Sequence, residues 1–315
     1  MRRRSFVGVD VGGTKVAAGL VNGDGEISAQ VRVAMVADAS SQRGLDSVLS
    51  AIAHVIPHGA QDVAGIGICA PGPLDPQTGV ILNPPNLPCW RNFPLAAAVR
   101  KQYSVPVKID NDANAAALAE ARWGAGRGYG NVFYATIGTG IGTGIVFDGK
   151  IYHGRTGSAG EGGHVSIDYR GPACNCGKPG CIEVFASGTA IAQRARREID
   201  AGTKSSMIEM AHGDLAAVNG LTVGKAADLG DDLATKIIAE ALEKLVLWLS
   251  NIVDLLDPDV IVIGGGAAVL YQAFFHEMRN KIADLAVNPR ADEVPLVSAR
   301  YGADSGIAGG AALCA

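Results

Sequence analysis

Two stretches of the chain repeat one pattern, and the duplication constrains the fold more than any single motif does. Phe6-Val-Gly-Val-Asp-Val-Gly-Gly-Thr-Lys-Val-Ala-Ala-Gly-Leu-Val-Asn22-Gly23 aligns without gaps with Val132-Phe-Tyr-Ala-Thr-Ile-Gly-Thr-Gly-Ile-Gly-Thr-Gly-Ile-Val-Phe-Asp148-Gly149. Each copy reads as a strand, a glycine-rich turn, a second strand and then Asn-Gly or Asp-Gly. Those dipeptides favour type I′ turns, in which both central residues take positive φ. Two β-hairpins are therefore expected to open two similar halves. Between and after them, Val63 to Cys69 and Val105 to Ile109 read as strands, and Ala113 to Trp123 as a helix that stops at Gly124. Ser187 to Ala201 and Asp231 to Leu256 read as helices. Asp259 to Ile263 reads as a buried strand running into Gly264-Gly265-Gly266. Strands alternating with helices imply a mixed or parallel sheet covered by helices. The expected architecture is α/β, in two lobes with a cleft between them.

The 42 glycines among 315 residues are about twice the usual share, as expected of a backbone that turns tightly or approaches a ligand often. A net charge of −4 lacks the basic footprint of a nucleic-acid or anionic-membrane binder. No apolar run approaches the roughly 18 residues of a membrane span. Arg2, Arg3 and Arg4 resemble the start of a signal peptide, but the stretch from Phe6 to Lys15 is short and broken by Asp10, Gly12 and Gly13, so it is read as mature protein. Of six cysteines, Cys174, Cys176 and Cys181 crowd into eight positions. That is metal spacing more than a disulfide framework, and it fits a reducing, cytoplasmic setting.

Asp10-Val-Gly-Gly-Thr-Lys15 places a carboxylate, two glycines, a hydroxyl and an ammonium together, a set suited to a metal-bound polyphosphate; it lacks the Walker A spacing. Gly138-Thr139-Gly140-Ile-Gly142 superficially resembles a dinucleotide loop. Such a loop opens into a helix, whereas this one opens into a strand and hairpin, which argues against a nicotinamide site. In Ile109-Asp-Asn-Asp-Ala-Asn114 an apolar strand ends as a helix begins. From the residues alone, Asp112 is either the cap of that helix or a base that accepts a proton from a hydroxyl. His164, Cys174, Cys176 and Cys181 supply four ligands for a closed, structural Zn²⁺. Glu161 and Glu183 flank this knot, either as solvated carboxylates or as groups held on a braced loop to bind substrate hydroxyls.

These motifs resemble the ROK family (repressor, open reading frame, kinase), on the actin-like ATPase or ribonuclease H-like fold, and within it the chain looks most like the bacterial glucokinases. The likeness runs from Asp10 to the glycine-rich segment Gly302 to Ala312. It rests on Asp10-Val-Gly-Gly-Thr-Lys15, on Asn111-Asp112-Ala-Asn-Ala-Ala-Ala and on the Gly-Glu-x-Gly-His and Cys-x-Cys-Gly-x-x-Gly-Cys-x-Glu set. Asn175 and Gly162 depart from the family pattern without removing an assigned side chain. The resemblance implies ATP-dependent phosphorylation of a hexose at its 6-hydroxyl, with glucose as first choice over N-acetylglucosamine, N-acetylmannosamine and fructose, and with a sugar-sensing regulator as the non-enzymatic alternative. The first strand begins by Phe6, so no N-terminal DNA-binding domain is expected.

Carried over residue by residue, the resemblance makes Asp112 the general base. Asn111, Glu161, His164 and Glu183 would contact the sugar, with Gly72 and Asn86 lining its site. Gly12-Gly13-Thr14 with Lys15, and Gly138-Thr139-Gly140, would hold the ATP phosphates. Gly264-Gly265-Gly266 would approach the adenosine, and Asp10 would position Mg²⁺ through water. Expected organisation is a lobe of residues 1–115 joined by 300–315, a larger lobe of 116–299 with the zinc loop, and a homodimer or homotetramer.

Overall fold

The computed structural model of the protein describes residues 4–37, 40–56 and 63–315; Arg2 and Arg3 of the basic N-terminal run lie outside them. The first part of the chain forms β1 (Ser5–Val11), β2 (Lys15–Asn22), β3 (Ile27–Ala34), α1 (Ser41–Val55), β4 (Val63–Ala70), two short strands β5 (Leu74–Asp75) and β6 (Val80–Ile81), α2 (Leu95–Tyr103), β7 (Val107–Asn111) and α3 (Asp112–Trp123). Next come β8 (Asn131–Ile137), β9 (Ile141–Phe147), β10 (Lys150–Ile151), α4 (Glu183–Ala186), α5 (Gly188–Asp200), α6 (Met207–Met210), α7 (Gly220–Asp228) and α8 (Asp232–Leu256). The chain closes with β11 (Val260–Gly264), α9 (Phe275–Leu285), β12 (Leu296–Ser298) and α10 (Ser305–Cys314).

The residues group into two compact units. One holds the described residues up to Gly130, with 144–160 and 299–315; the other holds 131–143 and 161–298. The boundary expected after residue 115 is displaced, because α3 stays with the first unit. It packs so tightly on α10 that a Cβ at Gly309 would lie 2.7 Å from the Ala115 carbonyl carbon.

The sheet of the first unit has the order β3-β2-β1-β4-β7. β1 pairs antiparallel with β2, and parallel with β4, which in turn runs parallel to β7. On α1, Leu45, Val48, Ala51, Ile52 and Val55 are buried, and the Ser40 hydroxyl caps the helix by accepting from Arg43 N–H. α10 packs on β1 and β4. Here glycine is obligatory: a Cβ at Gly8 would sit 1.7 Å from the Ile307 carbonyl oxygen, and one at Gly67 1.7 Å from that of Gly310. These glycines thus let a helix lie directly on sheet backbone.

The second sheet has the order β10-β9-β8-β11-β12, with β8, β11 and β12 parallel. β11 is buried throughout, and α8 buries a stripe including Leu233, Ile237, Leu245, Trp248 and Ile252. Asp231 stands just outside α8 as its cap, accepting from Ala234 N–H at 3.0 Å. The expected type I′ geometry is present at Asp148-Gly149, with φ of 48° and 72°. At Asn22-Gly23 the turn is longer. There the Asn22 side-chain oxygen accepts from Asp24 and Glu26 N–H, and positive φ moves to Gly25. An Asx-type side-chain bond has replaced the tight turn. No described helix is long and apolar enough to cross a membrane.

Candidate active site

In the first unit the β1–β2 turn closes on itself, Gly12 N–H donating to the Lys15 carbonyl at 2.9 Å and Met35 N–H to that of Thr14 at 3.0 Å. The Asn86 carbonyl lies against Gly13, 2.7 Å from where a Cβ would be. Asp10 is the last carboxylate of β1 before this turn. The Cys69 thiol lies 3.7 Å from Asp10 Oδ1 and 3.2 Å from the Gly306 carbonyl. Burial raises the Asp10 carboxyl above its usual range, opposed by the Cys69 bond and by Lys15 and Arg32. Burial, and then the charges of Asp10 and Asp112, push the Cys69 thiol far up. Both carboxylates therefore act on one buried residue, where a bound cation would offset their charge.

At the junction of β7 and α3, Asn111 and Asp112 take different positions, although the Asp112 carboxylate also accepts from Ala113 N–H at 2.8 Å. Asn111, not Asp112, is the cap: its side-chain oxygen accepts from Ala113 N–H at 2.9 Å and Asn114 N–H at 3.4 Å. Its amide nitrogen lies 3.9 Å from where a Cβ of Gly72 would be. Asp112 is the first residue of the helix proper and is exposed. Sequence reasoning missed the group beneath. Asp110 is 4% exposed; its Oδ1 accepts from Asn111 N–H at 2.8 Å and from the Asn114 amide at 3.1 Å, and its Oδ2 accepts from His153 Nε2 at 2.6 Å. A carboxylate between Ile109 and Asn111, one residue before the end of β7, was the available signal for Asp110; His153 arrives from a distant segment and carried none.

In the second unit the β8–β9 turn is held from outside its own hairpin. Gly138 N–H donates to the Gly140 carbonyl at 2.9 Å, and Gly188 N–H, at the start of α5, to the Gly138 carbonyl at 2.8 Å. Ile141 N–H donates to Glu183 Oε2 at 2.9 Å. Beside the turn lies a cavity of ≈ 560 Å³ lined by Gly138, Thr139, Thr189, Arg196, Asn219 and Gly266, among others. Gly265, at φ 92°, passes directly over the end of β8 and delivers Gly266 to the cavity. Gly264 remains in the strand, paired with Thr136. Thr189, Arg196 and Asn219 are further residues the sequence did not single out. Asn219 caps α7 in a reciprocal box with Thr222, a legible helix start within a stretch read only as polar.

The ligand atoms of His164, Cys174, Cys176 and Cys181 all lie within 4.8 Å of one another. Cys174 Sγ is 3.6 Å from His164 Nδ1, and Cys176 Sγ is 3.5 Å from Cys181 Sγ. Tetrahedral Zn²⁺ sets such separations at about 3.6 Å for N···S and about 3.8 Å for S···S, so the donor set fits zinc. Burial and the neighbouring thiols push Cys181 up to about 12, a cost that a bound cation reverses. Glu161 is exposed just before this knot. Glu183 Oε1 faces His164 Nδ1 at 4.0 Å.

Two glycine turns at matched positions of two α/β units, one beside a carboxylate and one beside a cavity, belong to a protein of the actin-like ATPase fold. A model of the ROK family matches residues 6–315, and the chain belongs to that family. It is 33% identical to a glucokinase of Thermotoga maritima, over 99% of this chain and 98% of that protein. It is 35% identical to a glucokinase of Halalkalibacterium halodurans, over 98% and 94%. Among solved structures it is similar to a ROK family glucokinase from Streptomyces griseus in complex with glucose and AMPPNP, with 32% identity, a TM-score of 0.81 and 98% of each chain covered.

Proposed function

We propose that the protein is an ATP-dependent hexose kinase, with glucose as acceptor and glucose 6-phosphate as product. Asp112 is the base that orients the 6-hydroxyl; a loose phosphoryl-transfer transition state asks little more of it. Asn111, Glu161, His164 and Glu183 are the sugar-contacting residues, and Gly72 and Asn86 are assigned to the lining of the sugar site. The two glycine turns, with Thr14, Lys15 and Thr139, hold the phosphates through backbone N–H groups and side chains, and the Gly264-Gly265-Gly266 segment approaches the adenosine. Asp10 is the residue that would hold Mg²⁺, which when bound neutralises phosphate charge. His164, Cys174, Cys176 and Cys181 would hold a structural Zn²⁺ that braces the loop between Glu161 and Glu183. The cytoplasm and a homodimeric or homotetrameric assembly complete the proposal.

The observation that carries it is the exposed Asp112 carboxylate at the start of α3, beside a cap that Asn111 supplies. Asp112 Oδ1 also accepts from Ala113 N–H at 2.8 Å, which fixes the direction of the carboxylate. The full-length likeness to glucokinases supports the choice of glucose. The test is ADP release from ATP and Mg²⁺ across glucose, mannose, fructose, allose, N-acetylglucosamine and N-acetylmannosamine. The highest kcat/KM is expected with glucose. Preference for an N-acetyl sugar would move the acceptor and keep the kinase; no ADP release with any sugar would return the protein to a sensing role.

A further inference from the structure

We propose that the cysteine-rich loop positions the β8–β9 phosphate turn, with Glu183 as the strut, so that loss of the metal weakens nucleotide binding directly and not only sugar binding. The inference rests on the kinase reading above in naming the nucleotide. Its geometry lies wholly within the second unit.

Three attachments reach residues 138–143 from the segment 162–188. At one end, Gly162 N–H donates to Thr143 Oγ1 at 2.8 Å, and Gly163 packs so closely that a Cβ there would lie 1.9 Å from the Ile141 carbonyl oxygen. At the other end, Gly188 N–H donates to the Gly138 carbonyl at 2.8 Å. Between them, Glu183 Oε2 accepts from Ile141 N–H at 2.9 Å. The four metal-ligating side chains, His164 to Cys181, all lie inside this segment. From Val165 to Ile182 the chain has only turns and isolated bridges, so its shape depends on cross-links more than on a helix or sheet of its own.

Glu183 is built into both sides of the connection. It lies two residues beyond the ligand Cys181, and Ile182 N–H donates to the Val165 carbonyl at 3.0 Å, fastening this end of the loop to the His164 end. Its Oε1 is on the His164 side at 4.0 Å, while Oε2 is committed to the turn. The turn is shaped to receive it: a Cβ at Gly140 would lie 2.4 Å from Glu183 Oε2. A carboxylate accepting a backbone N–H fixes that amide more firmly than a neutral acceptor does. A phosphate-binding turn works through the fixed direction of such amides.

The test measures AMPPNP binding to the full chain by calorimetry, with Mg²⁺ and without sugar, zinc content being checked in each sample. The samples are wild type with zinc, wild type stripped by a chelator that is then dialysed away, Glu183→Ala, Glu183→Gln and Gly140→Ala. Stripped protein, Glu183→Ala and Gly140→Ala are expected to raise the Kd about tenfold, the scale of one charge-assisted hydrogen bond. Glu183→Gln keeps an oxygen that accepts from Ile141 N–H and is expected to stay within about threefold. Glu183→Ala retains every metal ligand and leaves the turn's own residues intact, so it reports on the strut even where stripping unfolds the loop, with Gly140→Ala as the matching change on the turn side. Unchanged AMPPNP affinity in Glu183→Ala and Gly140→Ala would overturn the inference and leave the kinase reading standing. No AMPPNP binding by zinc-loaded wild type would remove the kinase reading itself.

Discussion

The β1–β2 turn and the β8–β9 turn begin from matched sequence, yet what holds each in place differs. The first is closed by its own hairpin and by Met35 and Asn86 of the same unit, and its carboxylate, Asp10, is part of the strand that feeds it. At the matched position β8 carries Thr136, and the carboxylate that reaches the second turn, Glu183, comes from beyond the cysteine-rich loop. The two turns have kept the same length and glycine-rich sequence, while their closing hydrogen bonds and the side chains around them differ. The first unit is braced by its own fold, and the second turn is braced by a loop whose shape needs a cross-link.

Perturbing each side separately sharpens that contrast. Asp112→Asn is expected to have the largest effect, lowering kcat by at least about 100-fold while calorimetry still finds glucose and AMPPNP bound. Near-normal turnover would remove Asp112 as the base. Cys174→Ser combined with Cys176→Ser should abolish bound zinc by elemental analysis and lower the thermal midpoint by about 5–10 °C. A variant that retains one zinc per chain would contradict the ligand set.

In the first unit, Glu120 is fully buried, and its carboxylate accepts from Ala125, Arg300 and Tyr301 N–H. Glu120→Ala strands those donors and should cost about 3 kcal/mol in denaturant unfolding, with zinc content unchanged. The smallest effect concerns His153, whose hydrogen bond to Asp110 raises its pKa above the usual 6.5. A raised folded-state pKa means the pair stabilises fully below about pH 6.5 and loses that contribution as pH rises through the raised value. His153→Gln should remove this loss, less than about 1 kcal/mol between pH 6 and 8; identical pH profiles would show that the pair does not titrate there.

The parts of the fold legible in the sequence are those with strong local signals. Both hairpins, β4, β7, α3, α8 and β11 arise from apolar runs, caps and glycine stops, and the ends of α8 were off by only its cap residue. α10 was not legible, because Ser305-Gly-Ile-Ala-Gly-Gly-Ala-Ala-Leu-Cys314 has poor helix propensity. It is helical because its glycines let it lie against Gly8 and Gly67, a tertiary reason that no window of sequence contains. The glycine content expected to mark ligand approach is therefore partly helix-on-sheet packing.

For the candidate site, the residues that sequence alone singles out are those contiguous in motifs: Asp10 to Lys15, Asn111-Asp112, and the His164 and cysteine set. Residues brought in by topology were missed. His153 reaches Asp110 across 43 positions, and Arg196 and Asn219 reach the cavity beside Gly138 without any spacing rule to announce them. Even which residue caps α3, Asn111 or Asp112, depends on whether the Asn111 side chain turns back onto the helix.

The most direct measurement is ³¹P NMR of the zinc-loaded protein incubated with glucose, ATP and Mg²⁺. A hexose kinase of this kind yields glucose 6-phosphate and ADP in equal amounts, and Asp112→Asn yields neither at a comparable rate. ATP that persists unchanged with glucose and with every other hexose offered, while AMPPNP binds normally, would contradict the assignment.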